Sequence, residues 1–265
     1  LKQEEPMAEL ITLEREGPLA TLTLNRPELH NAFNAQLIAE LREACAGLRG
    51  AAGLRALVLR GAGPSFCAGA DLAWMRASLT YTREENLADA ARLDAMFDAL
   101  NSLPVPVVGR VQGAALGGGA GLVACCDIVV AAEDALLGFT EARLGILPAV
   151  ISRYVVPKIG AGHARALFVS ARRLRAHEAL AVGLVHTVVP GAELDAAVAR
   201  TVAELLKVGP AAAAACKALV AAVTGLPPDA ARDYAIAAIA DARTGPEGQE
   251  GIRAFLEKRA PGWAG

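Results

Sequence analysis

Apolar and polar positions alternate at the start of the chain. Thr21-Leu22-Thr23-Leu24 puts Ala20, Leu22 and Leu24 on one face, which predicts a half-buried strand. Asn34 stands where a side-chain oxygen caps a helix, and Leu37, Leu41, Cys45 and Leu48 form its apolar stripe up to Gly50. Arg55-Ala-Leu-Val-Leu-Arg60, closed by Gly61-Ala-Gly63-Pro64, predicts a buried strand and then a loop. Thr82-Arg-Glu-Glu85 has the spacing of a capping box and opens a helix with Leu93, Met96, Phe97 and Leu100 on one side.

Pro104-Val-Pro-Val-Val108 starts another strand, which leads into Val111-Gln-Gly113 and Leu116-Gly-Gly-Gly119. A helix through Leu122 follows, then a strand at Asp127-Ile-Val-Val-Ala131 and a short one near Leu136–Phe139. From about Val198 the pattern is helical almost throughout, over 193–207, 210–223, 228–243 and 248–259. Strand–strand–helix units therefore precede a helical tail, with no Gly/Ser linker and no equal-length repeat between them. The expected division is a six-residue remnant at 1–6 ahead of a natural start at Met7, an α/β core over 7–197, and a helical region over 198–265.

Composition narrows the function classes. Of 265 residues 54% are hydrophobic and the net charge is −2, which excludes disorder and gives no basic field for nucleic acid. The five cysteines are odd in number and scattered without a C-x-x-C pair, so neither a disulfide framework nor a zinc site is expected. Cys125 and Cys126 read as small buried hydrophobes, and that cysteine usage fits a reducing, cytoplasmic setting. The longest apolar run, Gly113 to Cys126, is too short to cross a bilayer, so no membrane partner is expected. His30, His163, His177 and His186 lack metal-ligand spacing, and no metal is expected. Gly61-Ala-Gly63-Pro-Ser-Phe66 fails as a dinucleotide fingerprint, because Phe66 replaces the third glycine and Pro64 interrupts the turn.

Two segments carry the chemistry: Ser65-Phe-Cys-Ala-Gly-Ala70-Asp-Leu72 after a strand, and Val111-Gln-Gly-Ala-Ala-Leu-Gly-Gly-Gly119-Ala-Gly121 before a helix. Small residues there let backbone N–H groups approach a ligand, and the second segment adds the unpaired amides of a helix start. Two such donors aimed at one point make an oxyanion hole.

These segments belong to a longer constellation. It includes Leu24-Asn-Arg-Pro27, His30-Asn-Ala-Phe33, Cys126-Asp-Ile128, Thr140-Glu141 followed by Leu144-Gly-Ile-Leu-Pro148, and Ala176-x-Glu-Ala179 followed by Gly183-Leu-Val185. In this order, from about residue 8 to about residue 260, the chain resembles the crotonase family of enoyl-CoA hydratases and isomerases. The resemblance implies an α/β fold, a crotonase-like spiral of β-β-α units with a C-terminal helical trimerisation region, assembled as a homotrimer or hexamer. It implies an acyl-CoA thioester as substrate and no separate cofactor, since CoA enters as part of the substrate.

By motif position, the resemblance makes Ala70 and Gly118 the amides that receive the thioester oxygen. CoA would lie along Ala68, Asp71 and Leu72 with Arg26 near its phosphates, and Lys258 would reach a neighbouring subunit's CoA. Hydratases of the family usually carry two glutamates; here Gly121 occupies the first position and Glu141 the second. Glu141 would then have to activate water and relay the proton, or an unaligned group or ordered water must help, whereas a single base suffices for an isomerase. Finer likeness lies in Asp71-Leu-Ala-Trp-Met75 and Pro148-Ala-Val-Ile-Ser152, which are similar to bacterial methylglutaconyl-CoA hydratases. That likeness implies 3-methylglutaconyl-CoA + water ⇌ 3-hydroxy-3-methylglutaryl-CoA, with Gly121 making room for a branched, acidic acyl group. Arg76, Arg153 and Lys158 are the candidates to meet its distal carboxylate. The alternatives are an enoyl-CoA Δ-isomerase, a general enoyl-CoA hydratase, or a non-catalytic CoA- or RNA-binding member of the fold.

Overall fold

The computed structural model describes residues 9–264, so the expectations for residues 1–6 and Met7 lie outside the described residues. Strands β1 (Ile11–Glu16) and β2 (Leu19–Leu24) form an antiparallel hairpin. Helix α1 (Ala35–Arg49) begins where Asn34 accepts from the Leu37 N–H, and it buries the expected stripe. Then come β3 (Ala56–Gly61), α2 (Leu72–Ser78) and α3 (Arg83–Asn101), the last opened by the Thr82–Glu85 capping box. β4 (Val107–Val111), β5 (Ala114–Leu116), α4 (Gly118–Cys125), β6 (Ile128–Ala132) and β7 (Leu136–Gly138) follow in close succession. The chain continues through α5 (Ala149–Ser170), β8 (Arg173–Arg175), α6 (Ala176–Ala181) and β9 (Thr187–Val189). It ends in α7 (Leu194–Leu205), α8 (Pro210–Gly225), α9 (Pro228–Thr244) and α10 (Pro246–Leu256).

One sheet has the order β1-β2-β3-β4-β6-β9, parallel from β2 onward, and a second has the order β5-β7-β8. Side chains alternate between the faces of a strand. Leu57, Leu59, Val107 and Val129 therefore join α1, α3 and α4 in the main core, while Val58, Val108, Val130 and Ala132 face the other way. That second face is covered by Leu194, Ala197, Val198 and Val202 of α7. The boundary expected at 197/198 thus falls inside one helix whose apolar stripe completes the sheet packing. The change from core to tail comes after α7: α8 and α9 bury no residue. Arg55 ties this tail to the core by donating to the carbonyls of Leu206, Val208 and Trp263. Among the described residues no single helix is long and apolar enough to cross a membrane.

Candidate active site

The site forms where β3 and β4 end. Asn31 is buried in the loop after β2, and its amide donates to the carbonyls of Ala62, Ser65 and Phe66. It therefore holds the Gly61–Phe66 loop in place. The next residues run extended between two neighbours. On one side the Cys67 N–H donates to Ala114 O at 2.9 Å and the Leu116 N–H to Cys67 O at 3.0 Å. On the other, Gly69 O accepts from the Phe33 N–H at 2.7 Å.

The direction of two amides follows. In a trans peptide C=O and N–H point oppositely. Gly69 O points at Phe33, so the Ala70 N–H points away, toward the β5 side. Gly117 O accepts from the Gly121 N–H at 3.1 Å inside the first turn of α4, so the Gly118 N–H points outward from the helix start. Because Cys67 pairs with Ala115, three residues further along each segment bring Ala70 and Gly118 to the same place. Both line one cleft of about 420 Å³.

Glu141 lines the same cleft. It opens the single 3-10 turn after β7, and the Gly117 N–H donates to Gly138 O at 2.8 Å, which joins that turn to the start of α4. Gly117 has φ +52, and a Cβ there would stand 3.3 Å from Glu141 Oε1, so glycine serves both backbone and carboxylate. Glu141 Oε2 is buried without a hydrogen-bond partner. Burial raises the Glu141 pKa above the ordinary 4.5, and its own backbone N–H offsets this only in part. A carboxylate oxygen without a partner thus lines the same cleft as two outward-pointing amides. Phe33, whose ring meets Phe97 edge-on at 6.2 Å, forms the cleft floor beside Gly118. Trp74, Met75 and Leu93 form one wall, and residues 146–151 the other.

A family model described as Enoyl-CoA hydratase/isomerase matches residues 14–265. The chain belongs to the enoyl-CoA hydratase/isomerase family. It is 37% identical over 248 residues to a putative enoyl-CoA hydratase of Thermus thermophilus, covering 92% of this chain and 97% of that protein. It is 35% identical over 255 residues to a crotonyl-CoA hydratase of Syntrophomonas wolfei, covering 95% and 96%. Among solved structures it superposes on Pseudomonas aeruginosa AtuE with TM-score 0.93 at 38% identity, over 97% of this chain and 100% of that one. An enoyl-CoA hydratase from Shewanella pealeana gives TM-score 0.91 at 36% identity, over 96% of each chain. The crotonase fold and an enoyl-CoA hydratase/isomerase-type activity on an acyl-CoA thioester are therefore those of this family member.

Other expected site residues lie differently. Arg26 pairs with Asp71 and donates to Ala32 O, and Asp71 also accepts from the N–H groups of Ala73 and Trp74 at the start of α2. Burial alone would raise the Asp71 pKa, but the guanidinium and the two amides outweigh it and hold the carboxyl below its ordinary value. These two side chains satisfy each other rather than standing free for CoA. Their effect is to lock the strand-to-helix corner that follows Ala70. Ala68 donates its N–H to His30 O, Leu72 is exposed, and neither lines the cleft. Lys258, also outside the cleft, follows α10 with φ +55.

Gly121 does not make room for a substrate branch. A Cβ there would meet Ile151 Cγ2 at 2.4 Å and Phe97 Cε1 at 3.1 Å, so the space is filled by protein. None of the three cations expected to hold a distal carboxylate lines the cleft. Arg153 pairs with Asp94, Lys158 donates to Cys126 O, and Arg76 is exposed on α2. Sequence reasoning missed Asn31 as a positioning residue, and Asp89 and Leu147 as lining residues. The motifs at 71–75 and 144–152 do supply Trp74, Met75 and residues 146–151 of the cleft walls, but nothing in them marks those residues as lining.

Proposed function

We propose that this chain adds water across the C2–C3 double bond of an enoyl-CoA, with Glu141 as the only carboxylate acting at that bond. The thioester oxygen accepts from the Ala70 and Gly118 N–H groups as negative charge develops on it. One donor of this kind is worth about 2.7–4 kcal/mol in the transition state. Glu141 takes a proton from water as its oxygen bonds C3, then delivers a proton to C2; the sum is one water added. The scheme calls on no cofactor, since CoA arrives with the substrate, its bent chain passing along Ala68–Leu72. The observation that carries this reading is the unpartnered Glu141 Oε2, buried in the cleft that both amides line.

Two finer questions attach to it. The motif likeness to methylglutaconyl-CoA hydratases favours 3-methylglutaconyl-CoA, but among the described residues the cleft supplies no cation for its second carboxylate, and hydration of an uncharged enoyl-CoA fits the lining better. The filled space at Gly121 favours isomerisation as the second reading, because a single base can move a proton between two carbons. Product analysis on crotonyl-CoA, a 3-enoyl-CoA and 3-methylglutaconyl-CoA separates these. We expect 3-hydroxybutyryl-CoA from crotonyl-CoA; no turnover of it alongside rapid 3-to-2 isomerisation would replace hydration by the second reading. The exposed apolar residues of α8–α10, among them Val220, Ile236, Ile239 and Phe255, support assembly of trimers or hexamers through this tail.

A further inference from the structure

We infer that the far end of the cleft selects uncharged acyl groups and rejects those ending in a carboxylate, and that Asp89 is the residue that reads the charge. This rests on the reading that the acyl chain occupies the cleft beside Glu141. α3 runs along the cleft. Phe97 packs on the floor residue Phe33, Leu93 is one turn back, and Asp89 is two turns back. Eight residues of helix span about 12 Å, so Asp89 lies at the distal end from the reacting carbons.

The polar groups at that end are Ser78, Asn86 and Asp89, and among the described residues no Lys, Arg or His lines any part of the cleft. Ser78 Oγ donates to Met75 O, and Asn86 Nδ2 donates to Tyr81 O and Thr82 O, so these donors are spent. Asp89 pairs with Arg92 at 2.9 Å, but the Arg92 side chain is 57% exposed and faces solvent rather than the cleft, whereas the Asp89 side chain is 15% exposed. Asp89 thus lines the space an acyl end would enter, and its counter-ion Arg92 does not. Along the middle wall the unspent donor is the buried Trp74 Nε1.

A short acyl carboxylate would therefore lie against Leu93, Ile151 and Leu147 with one neutral donor in reach. A longer one would reach the like charge of Asp89 in a partly water-excluded space. A hydrocarbon end meets neither penalty, and a neutral oxygen would suit Trp74.

The test is binding of saturated, unreactive ligands. Calorimetry compares decanoyl-CoA with decanedioyl-CoA, equal in chain length and differing in the distal carboxylate, on the wild-type protein and on Asp89→Asn. Decanoyl-CoA should bind the wild type at least about tenfold more tightly, the size of one like-charge contact in a partly desolvated site. Asp89→Asn removes that charge and frees Arg92, so the ratio should fall to about threefold or less. Asp89→Lys is the second variant, and there the preference should reverse. Equal binding of the two ligands by the wild type, or a ratio unmoved by both substitutions, overturns the inference. Crotonyl-CoA turnover in the same preparations separates the two readings. Discrimination in binding without hydration refutes the hydratase reading alone, and hydration with equal binding refutes the charge selection alone.

Discussion

At its N-terminal end β4 starts on Val107, whose N–H donates to Asp127 Oδ2 at 2.7 Å. The same oxygen accepts from Lys217 at 2.8 Å, Lys158 donates to Cys126 O, and His186 Nδ1 accepts from the Val129 N–H at 2.9 Å. Burial drives the Cys126 thiol up to about 12 and lowers the Lys158 and His186 pKa values. Beyond its C-terminal end lies the cleft of Ala70, Gly118 and Glu141, where two amides and a carboxylate oxygen are left unspent. Both ends hold titratable groups with displaced pKa values, so displacement alone does not mark the site. What differs is satisfaction: titratable groups at the first end have partners inside the protein, and the second keeps its valences for a ligand.

Substitutions at the two ends should therefore have opposite signatures. The largest effect belongs to Glu141→Gln, which keeps shape but removes the base: kcat/KM for crotonyl-CoA hydration should fall about 10³-fold. Next is Gly121→Glu, which forces a side chain into Ile151 and Phe97. Urea unfolding should show a loss of about 3 kcal/mol, with no gain in hydration. At the satisfied end, Asp127→Ala strips partners from Val107 N–H and Lys217 and should cost about 2 kcal/mol, while kcat/KM on folded protein stays within about twofold. A large activity loss from Asp127→Ala at full folding would break the contrast.

The smallest effect is a pH dependence. Glu141 is raised in the folded protein, so the native state holds its proton more tightly than the unfolded chain. Its ionisation therefore costs stability as pH rises through the folded pKa, and that cost is absent in Glu141→Gln. The melting temperature of the Gln variant should exceed that of the wild type at pH 8, and the gap should close toward pH 4. The acid limb of kcat/KM should lie above the ordinary carboxylate value of 4.5.

Local signals were legible in the sequence. The Asn34 cap, the Thr82–Glu85 box, the α1 stripe and the glycine run before α4 each depend on neighbours within a few residues. Motif order also placed Ala70, Gly118 and Glu141, which the fold brings to one cleft. Features set by distant partners were not legible. Arg26 is a surface charge in sequence and becomes a half-buried partner of Asp71 only when the two loops meet. Gly121 is small because Ile151 and Phe97 close on it from two other helices. Asp89 with Arg92 has the spacing of an ordinary solvated pair, and only the folded cleft, which Asp89 lines and Arg92 does not, tells the two apart. The α7 stripe reads like those of the tail helices, and only its contact with Val58, Val108 and Val130 assigns it to the core.

The central claim is that the unsatisfied end polarises a thioester. Infrared difference spectroscopy of bound butyryl-CoA, labelled with ¹³C at the thioester carbonyl, tests it most directly. The carbonyl stretch should move to lower frequency on binding to the wild type, and equally on binding to Glu141→Gln and Asp127→Ala, because both keep the Ala70 and Gly118 amides. A bound ligand whose carbonyl frequency matches that of free butyryl-CoA would contradict the claim.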